Sequence, residues 1–179
     1  MRTCIALLRG VNVGGNRKVA MADLRALAAK LGFSDAETLL QSGNLVFRGT
    51  ARGREALEAL LEREASERLG LETTFMVRTA AEWREIVAAN PFAAAARDDP
   101  GHLLVLLLKG AAGHKAVQAL QASIAGPERV RGNGTHVYMT YPAGIGTSKV
   151  TNAVIERHLG TQVTGRNWNT VLKLDALVH

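Results

Sequence analysis

The chain has 179 residues, 47% hydrophobic and 21% charged, with a formal net charge of +6. That length suits one large domain or two small ones, and that composition buries a core and excludes intrinsic disorder. No apolar run reaches the roughly 20 residues of a membrane span. The start MRTCIALLRGVN lacks a secretion-type apolar stretch, and the single Cys4 excludes an intrachain disulfide framework or a multi-cysteine metal site. A soluble, cytoplasmic protein with no membrane association is expected.

Residues 2–8 read as a buried strand, followed by a loop from Arg9 to Ala20. A helix over 21–31 places Leu24, Leu27, Ala28 and Leu31 on one face and stops at Gly32. Thr38 to Gln41 and Leu45 to Arg48 flank Gly43-Asn44, a two-residue hairpin signal. A helix over 54–69 carries Leu57, Leu60, Leu61, Ala65 and Leu69 at helical spacing, ends at Gly70, and is followed by a strand over 72–78. A helix at 80–89 and the irregular NPFAAAARDDPG then lead to a boundary marked by Pro91, Pro100 and Gly101.

The same order of elements then repeats without residue identity. A strand over 102–108 precedes a helix over 112–124 and a hairpin of 128–131 and 135–140 turning at Gly132-Asn133-Gly134. A helix over 149–159 and a short strand over 161–164 follow, and Thr164 can cap a last helix that includes Asn167 to Leu177. The expected fold class is α+β: two tandem ferredoxin-like (βαββαβ plait) subdomains, 1–79 and 102–179, with a linking helix in 80–101 and a C-terminal helix. TCIALL and LLVLLL are apolar on both alternating faces, so each sheet is expected to be covered on both sides, by the other half. With aromatics at 4% of the chain, an RNA-recognition sheet with exposed stacking platforms is disfavoured.

The charge has two readings. A pI near 10.0 fits a polyanionic partner, but 16 Arg against 6 Lys with 28 Ala is also what a G+C-rich coding sequence produces. Each half carries +3, with 12 cations against 9 acids over 1–79 and 10 against 7 over 80–179. Within each half the excess is local. Arg2, Arg9, Arg17 and Lys18 precede the first acid, Asp23, and residues 129–173 hold six cations against Glu156 alone. The acids cluster over 53–72, where Arg54–Glu58 and Glu64–Arg68 have the spacing of a solvated helix face.

The basic ends coincide with four motifs. The first is the long loop Arg9-Gly10-Val11-Asn12-Val13-Gly14-Gly15-Asn16-Arg17-Lys18, where glycines let backbone N–H groups face an anion among cations. It is neither a dinucleotide fingerprint nor a Walker motif. The second is Gln41-Ser42-Gly43-Asn44, a turn that can also present neutral hydrogen-bonding groups. The third, Tyr141 to Lys149, contains Gly144 and runs into the expected helix. There Ser148 as N-cap and Lys149 beside it suit a phosphate or carboxylate. In the fourth, Arg166-Asn167-Trp168-Asn169-Thr170, a helix would put Arg166, Thr170 and Lys173 on one face.

Five scattered histidines give no metal-ligand spacing, no nucleophile elbow occurs, and Cys4 lies in a buried strand, so neither a metal nor a cofactor is expected.

The motifs LLRGVNVGGNRKVAMADLRALAAKLGF, QSGNLVF, the Tyr-Pro-x-Gly…Ser-Lys segment and Arg-Asn-Trp-Asn-Thr resemble the bacterial family called domain of unknown function 1697, from Ile5 to about Leu174. The resemblance implies two plait-type subdomains and no established activity, substrate or cofactor. Ala20 stands where that pattern leads one to expect proline, and Gly165 where it leads one to expect a hydroxyl residue.

The functional expectation is a phosphate-bearing, nucleotide-like small ligand held at a Gly-rich basic site between the halves. The residues assigned to it are Arg9, Gly10, Asn12, Gly14, Gly15, Lys18, Ser42, Asn44, Tyr141, Gly144, Ser148, Lys149, Arg166 and Asn167. The alternatives are a small transferase or hydrolase acting on an anionic substrate, with Lys149 or Lys18 as catalyst, and a sequence-independent nucleic-acid binder.

Overall fold

RTCIALL alternates side chains across two faces, and both faces of strand β1 (Arg2–Leu8) are buried from Cys4 onward. A computed structural model describes every residue except Asn16 and Ala51. It divides the chain into two units, Met1–Glu85 with Leu174–His179, and Ile86–Lys173. The last six residues thus go with the first unit. Among the described residues no helix is long and apolar enough to cross a membrane.

In the first unit β1 is followed by α1 (Met21–Lys30), β2 (Ser34–Thr38), β3 (Asn44–Gly49), α2 (Arg54–Leu69) and β4 (Phe75–Thr79). The sheet order is β2-β3-β1-β4 and every neighbouring pair is antiparallel. Cys4, Ala6 and Leu8 of β1 share a core with Leu24, Leu27 and Ala28 of α1 and Leu57, Leu61 and Ala65 of α2. Both helices therefore cover one face of the sheet through the stripes their sequences carry. Gly70, in the left-handed region at φ 61°, closes α2.

Two expectations about this unit change. The connection from β2 to β3 spans 39–43, not two residues. Leu40 takes a positive φ of 60° and is 51% exposed, so it turns the chain, and the polar SDAET supplies the strand instead. The helix pairs also part company. Glu64 and Arg68 meet at 2.6 Å, whereas Glu58 turns inward, accepts the Val77 N–H at 2.9 Å and faces Arg78.

Helix α3 (Ala80–Ala88) begins with a reciprocal cap: Glu82 accepts the Thr79 N–H at 2.7 Å, and Thr79 Oγ1 accepts the Glu82 N–H at 3.2 Å. The alanine-rich stretch expected to be irregular forms α4 (Ala93–Asp98) and a 3-10 turn, Pro100–His102.

The second unit contains β5 (Leu103–Ala112), α5 (His114–Ser123), β6 (Arg129–Thr140), α6 (Asn152–Leu159) and β7 (Val163–Asn167), with sheet order β6-β5-β7, again antiparallel. Its core gathers Leu106 and Leu108 with Val117, Leu120, Val137, Met139, Ile155 and Leu159. Within β6, Gly132 has φ 118°, and a Cβ there would lie 3.2 Å from both His136 O and Val137 Cα. The segment therefore doubles back on itself at the Gly-Asn-Gly turn.

The last motif differs from the expected helix. Thr164 to Asn167 continue β7, with Arg166 opposite Val105, and α7 (Trp168–Leu177) starts only after them. Its cap is Asn167, whose Oδ1 accepts the Thr170 N–H at 3.1 Å, not Thr164. Arg166 consequently shares no helical face with Thr170 and Lys173.

Candidate functional site

In the first unit, the loop after β1 turns sharply. Gly10, Asn12, Gly14, Gly15 and Arg17 all have positive φ, and the Asn12 N–H donates to Arg17 O at 3.2 Å. Its base is tied to the β2–β3 connection by the Asn12 side chain. Asn12 Nδ2 donates to Gln41 O at 2.7 Å and to Val19 O at 3.1 Å, and its Oδ1 accepts the Val19 N–H at 2.9 Å. Asn44 does the same within the connection, donating to Leu39 O at 2.6 Å and to Ser42 Oγ at 3.0 Å from a fully buried position. These amides are committed to holding backbone together.

Asn12, Gly15, Lys18, Val19, Ala20 and Gln41 surround a cleft of about 510 Å³. Ala20 caps α1 and provides no side-chain acceptor. The N–H groups of Met21 and Ala22 have no hydrogen-bond partner among the described residues, so the helix presents free donors and partial positive charge beside Lys18. Asp23, in the same first turn, opposes that charge. Arg9 is fixed at the far side of the loop base, its N–H donating to Thr74 O at 3.0 Å and its O accepting from Thr73 Oγ1 at 2.7 Å. Gly10 faces Arg17, and Gly14 is exposed near the loop tip. Asn16 lies outside the described residues.

In the second unit, the loop Tyr141–Val150 is pinned at both ends by one side chain: Tyr141 Oη donates to Val150 O at 3.0 Å. Burial, with the Glu128 charge adding to it, pushes the Tyr141 hydroxyl up to about 12. Gly144 takes φ 97° and closes a turn onto Tyr141 O at 2.9 Å. The expected helix start at Ser148-Lys149 is not there. Helix α6 begins at Asn152, capped by Thr151, because Ser148 closes a turn of its own by accepting the Val150 N–H at 3.1 Å. Ser148 also donates to Glu128 Oε1 at 2.6 Å. A buried carboxylate, not a row of free N–H groups, therefore faces this serine, which removes the basis for reading it as an anion-binding helix start.

Arg166 is buried in β7, donating from Nη1 to Thr164 Oγ1 at 3.0 Å and to Gly165 O at 2.8 Å. Burial pushes its guanidinium down to about 10. Asn167 is occupied as the cap of α7.

Two features escaped the sequence reading. Glu128 sits between two loops and carries no motif; only folding brings it to Ser148. Arg2, Arg52 and Arg54 line a cavity of about 120 Å³ with Thr50, Thr79 and Glu82, and none of the three makes an ion pair among the described residues. Arg2 lies 50 residues from Arg52, which hides this cluster in the sequence.

A family model described as protein of unknown function (DUF1697) matches residues 1–138. The chain belongs to the DUF1697 family. A comparison with curated proteins gave no match. Among solved structures, this DUF1697 chain is similar to the conserved bacterial protein SP0830 from Streptococcus pneumoniae. The TM-score is 0.74 at 21% identity, over 99% of each chain. That likeness extends the shared fold through residues 139–179, beyond the family match.

Proposed function

We propose that this DUF1697 protein binds a small phosphate-bearing ligand of nucleotide type in the Lys18 cleft of the first unit. The observation that carries the reading is the free Met21 and Ala22 N–H donors at the start of α1, which follows directly on Ala20 in the wall of the cleft of about 510 Å³ that Lys18 and Gly15 also line. Phosphate oxygens accept from such donors, and a neighbouring ammonium adds a full charge. Three or four charge-assisted bonds of about 1.5–3 kcal/mol each, less association costs, correspond to micromolar to millimolar affinity.

The test is a thermal-shift screen of inorganic phosphate, sugar phosphates and nucleotides, repeated with Lys18→Ala and Asp23→Asn. Lys18→Ala should lose the shift, and Asp23→Asn, which removes the opposing charge, should enlarge it. No shift with any phosphate in the intact protein defeats the reading.

The Arg2, Arg52 and Arg54 cluster favours a second reading, a sequence-independent nucleic-acid binder. Its signature is a steep fall of affinity with salt, with a slope of about −0.9 per phosphate contacted on duplex DNA. A single small anion gives a much shallower slope.

The fold reading is finer than α+β. We infer that each unit is a ferredoxin-like plait. In the first, the order β2-β3-β1-β4 around βαββαβ connectivity supports it. In the second, the doubled-back β6 supplies the two strands that the pattern needs between α5 and α6.

A further inference from the structure

A pocket in the second unit pairs two opposite charges that do not meet. It encloses about 340 Å³, between the loops 123–128 and 143–150 and the start of α6. Glu128 lies on its wall and is only 7% exposed. Its backbone is clamped from α5: Gln121 Nε2 donates to Glu128 O at 3.4 Å, and the Val130 N–H donates to Gln121 Oε1 at 2.8 Å. Oε1 takes the Ser148 hydroxyl at 2.6 Å, while Oε2 has no hydrogen-bond partner among the described residues. A Cβ on Gly126 would come within 2.4 Å of Oε2, so glycine leaves this oxygen its place.

Exposed Lys149 lines the same pocket and makes no ion pair among the described residues. The rest of the wall includes Ile124, Pro127, Val150 and Val154, which is apolar.

A carboxylate offers about four acceptor sites, and Oε2 is not sealed from solvent, so the pocket reaches it and a donor there can bind it directly. Ser148 cannot supply a second donor, because its one proton already goes to Oε1. The group that fits Oε2 best carries several N–H donors and a positive charge. Lys149, on the same cavity, suits an anionic group of the same molecule.

We propose that this pocket binds a small aliphatic zwitterion of amino-acid type, its ammonium on Glu128 Oε2, its carboxylate toward Lys149 and its side chain among Ile124, Val150 and Val154. The residues lining this pocket all belong to the second unit, and binding there does not require the Lys18 cleft.

The test is an amide-NMR titration of the intact protein with L-leucine, N-acetyl-L-leucine, isopentylamine and inorganic phosphate. L-leucine should shift the Gly126 and Ser148 amides saturably. N-acetyl-L-leucine, which lacks the ammonium, should bind at least about tenfold more weakly. Glu128→Gln keeps the shape and an acceptor for Ser148, and should weaken L-leucine by about tenfold or more; Lys149→Ala should narrow its advantage over isopentylamine. Lys18→Ala should leave these shifts unchanged, which separates failure here from failure of the phosphate reading. The proposal is overturned if L-leucine shifts neither amide at millimolar concentration, or if N-acetyl-L-leucine binds as well as L-leucine. It is also overturned if phosphate alone saturates the same amides, or if a folded Glu128→Gln protein titrates like the parent. Should Glu128→Gln not fold, the ammonium-free and carboxylate-free probes decide the matter on the parent protein.

Discussion

Glu58 Oε1 lies 3.8 Å from the Arg78 guanidinium, with both side chains almost wholly shielded from water. The same oxygen accepts the Val77 N–H at 2.9 Å, and Arg78 Nη1 donates to Val77 O at 2.7 Å, so the pair is woven into β4. Burial, reinforced by the like charge of Arg54, pushes the Arg78 guanidinium down to about 10. Glu58→Ala removes the nearest counter-charge and orphans a buried N–H. It should cost about 3–5 kcal/mol in urea unfolding. Replacing both residues, Glu58→Leu with Arg78→Met, should cost less than the single change, because no charge is then stranded. A Glu58→Ala loss below about 1 kcal/mol would mean the charge is not stranded on removal.

Gly43 is required twice over. Its φ is 85°, and a Cβ there would meet Val11 Cγ2 at 2.6 Å and Leu8 Cβ at 2.9 Å. These contacts, together with the Leu8 N–H donating to Gly43 O at 2.9 Å, seat the 9–20 loop on the β2–β3 connection. Gly43→Ala therefore combines left-handed strain of about 1–2 kcal/mol with overpacking of about 1–3 kcal/mol. Urea unfolding should show a loss of about 2–5 kcal/mol. Gly14→Ala, with nothing within 4 Å of the added Cβ, should show only the strain.

The contrast between these glycines shows what was legible in the sequence. Helix α2 could be read end to end, because Leu57, Leu61 and Ala65 repeat at helical spacing between Gly53 and Gly70. Strand β1 could be read from its unbroken apolar run. By contrast β2 is the polar SDAET on a sheet edge, where one face meets water and no alternation of apolar residues marks it. The sequence alone does not place the start of α6, because Ser148 and Thr151 are both adequate caps. What selects Thr151 is Glu128, 20 residues earlier, drawing Ser148 into a different turn. Of the candidate site, the cleft at Lys18 follows from a local loop, whereas the Glu128 pocket depends on long-range folding that residue spacing does not encode.

Cys4 should be unreactive while the protein is folded. The residue is 5% exposed, and burial pushes the thiol pKa up, with Arg2 opposing that and Glu82 adding to it. The thiolate is the reactive species, so both access and ionisation are withheld. A chromogenic disulfide reagent at neutral pH should label the chain at the rate of unfolding, and at once in urea. Fast stoichiometric labelling in buffer would show that this end of β1 opens locally.

The two tyrosines offer a pH test with a defined sign. Burial pushes both Tyr138 and Tyr141 from 10.0 up to about 12. Tyr138 donates to Ile86 O at 2.6 Å and Tyr141 to Val150 O at 3.0 Å, bonds that exist only while the hydroxyls keep their protons. Below pH 10 both forms of the chain are protonated at these groups and the contribution is complete. Between 10 and 12 the folded form holds protons that the unfolded form has released, so stability falls as pH rises through that window. Absorbance at about 295 nm should show only about a tenth of the tyrosine ionised at pH 11 in the folded protein and roughly nine-tenths in urea. Arg78 and Arg166, both pushed down to about 10 by burial, act in the opposite direction over the same range. The decisive comparison is therefore with Tyr138→Phe, which keeps the arginines. Its stability should decline less between pH 10 and 12 than that of the parent, and an identical decline would rule out a buried Tyr138 as a source of the alkaline loss.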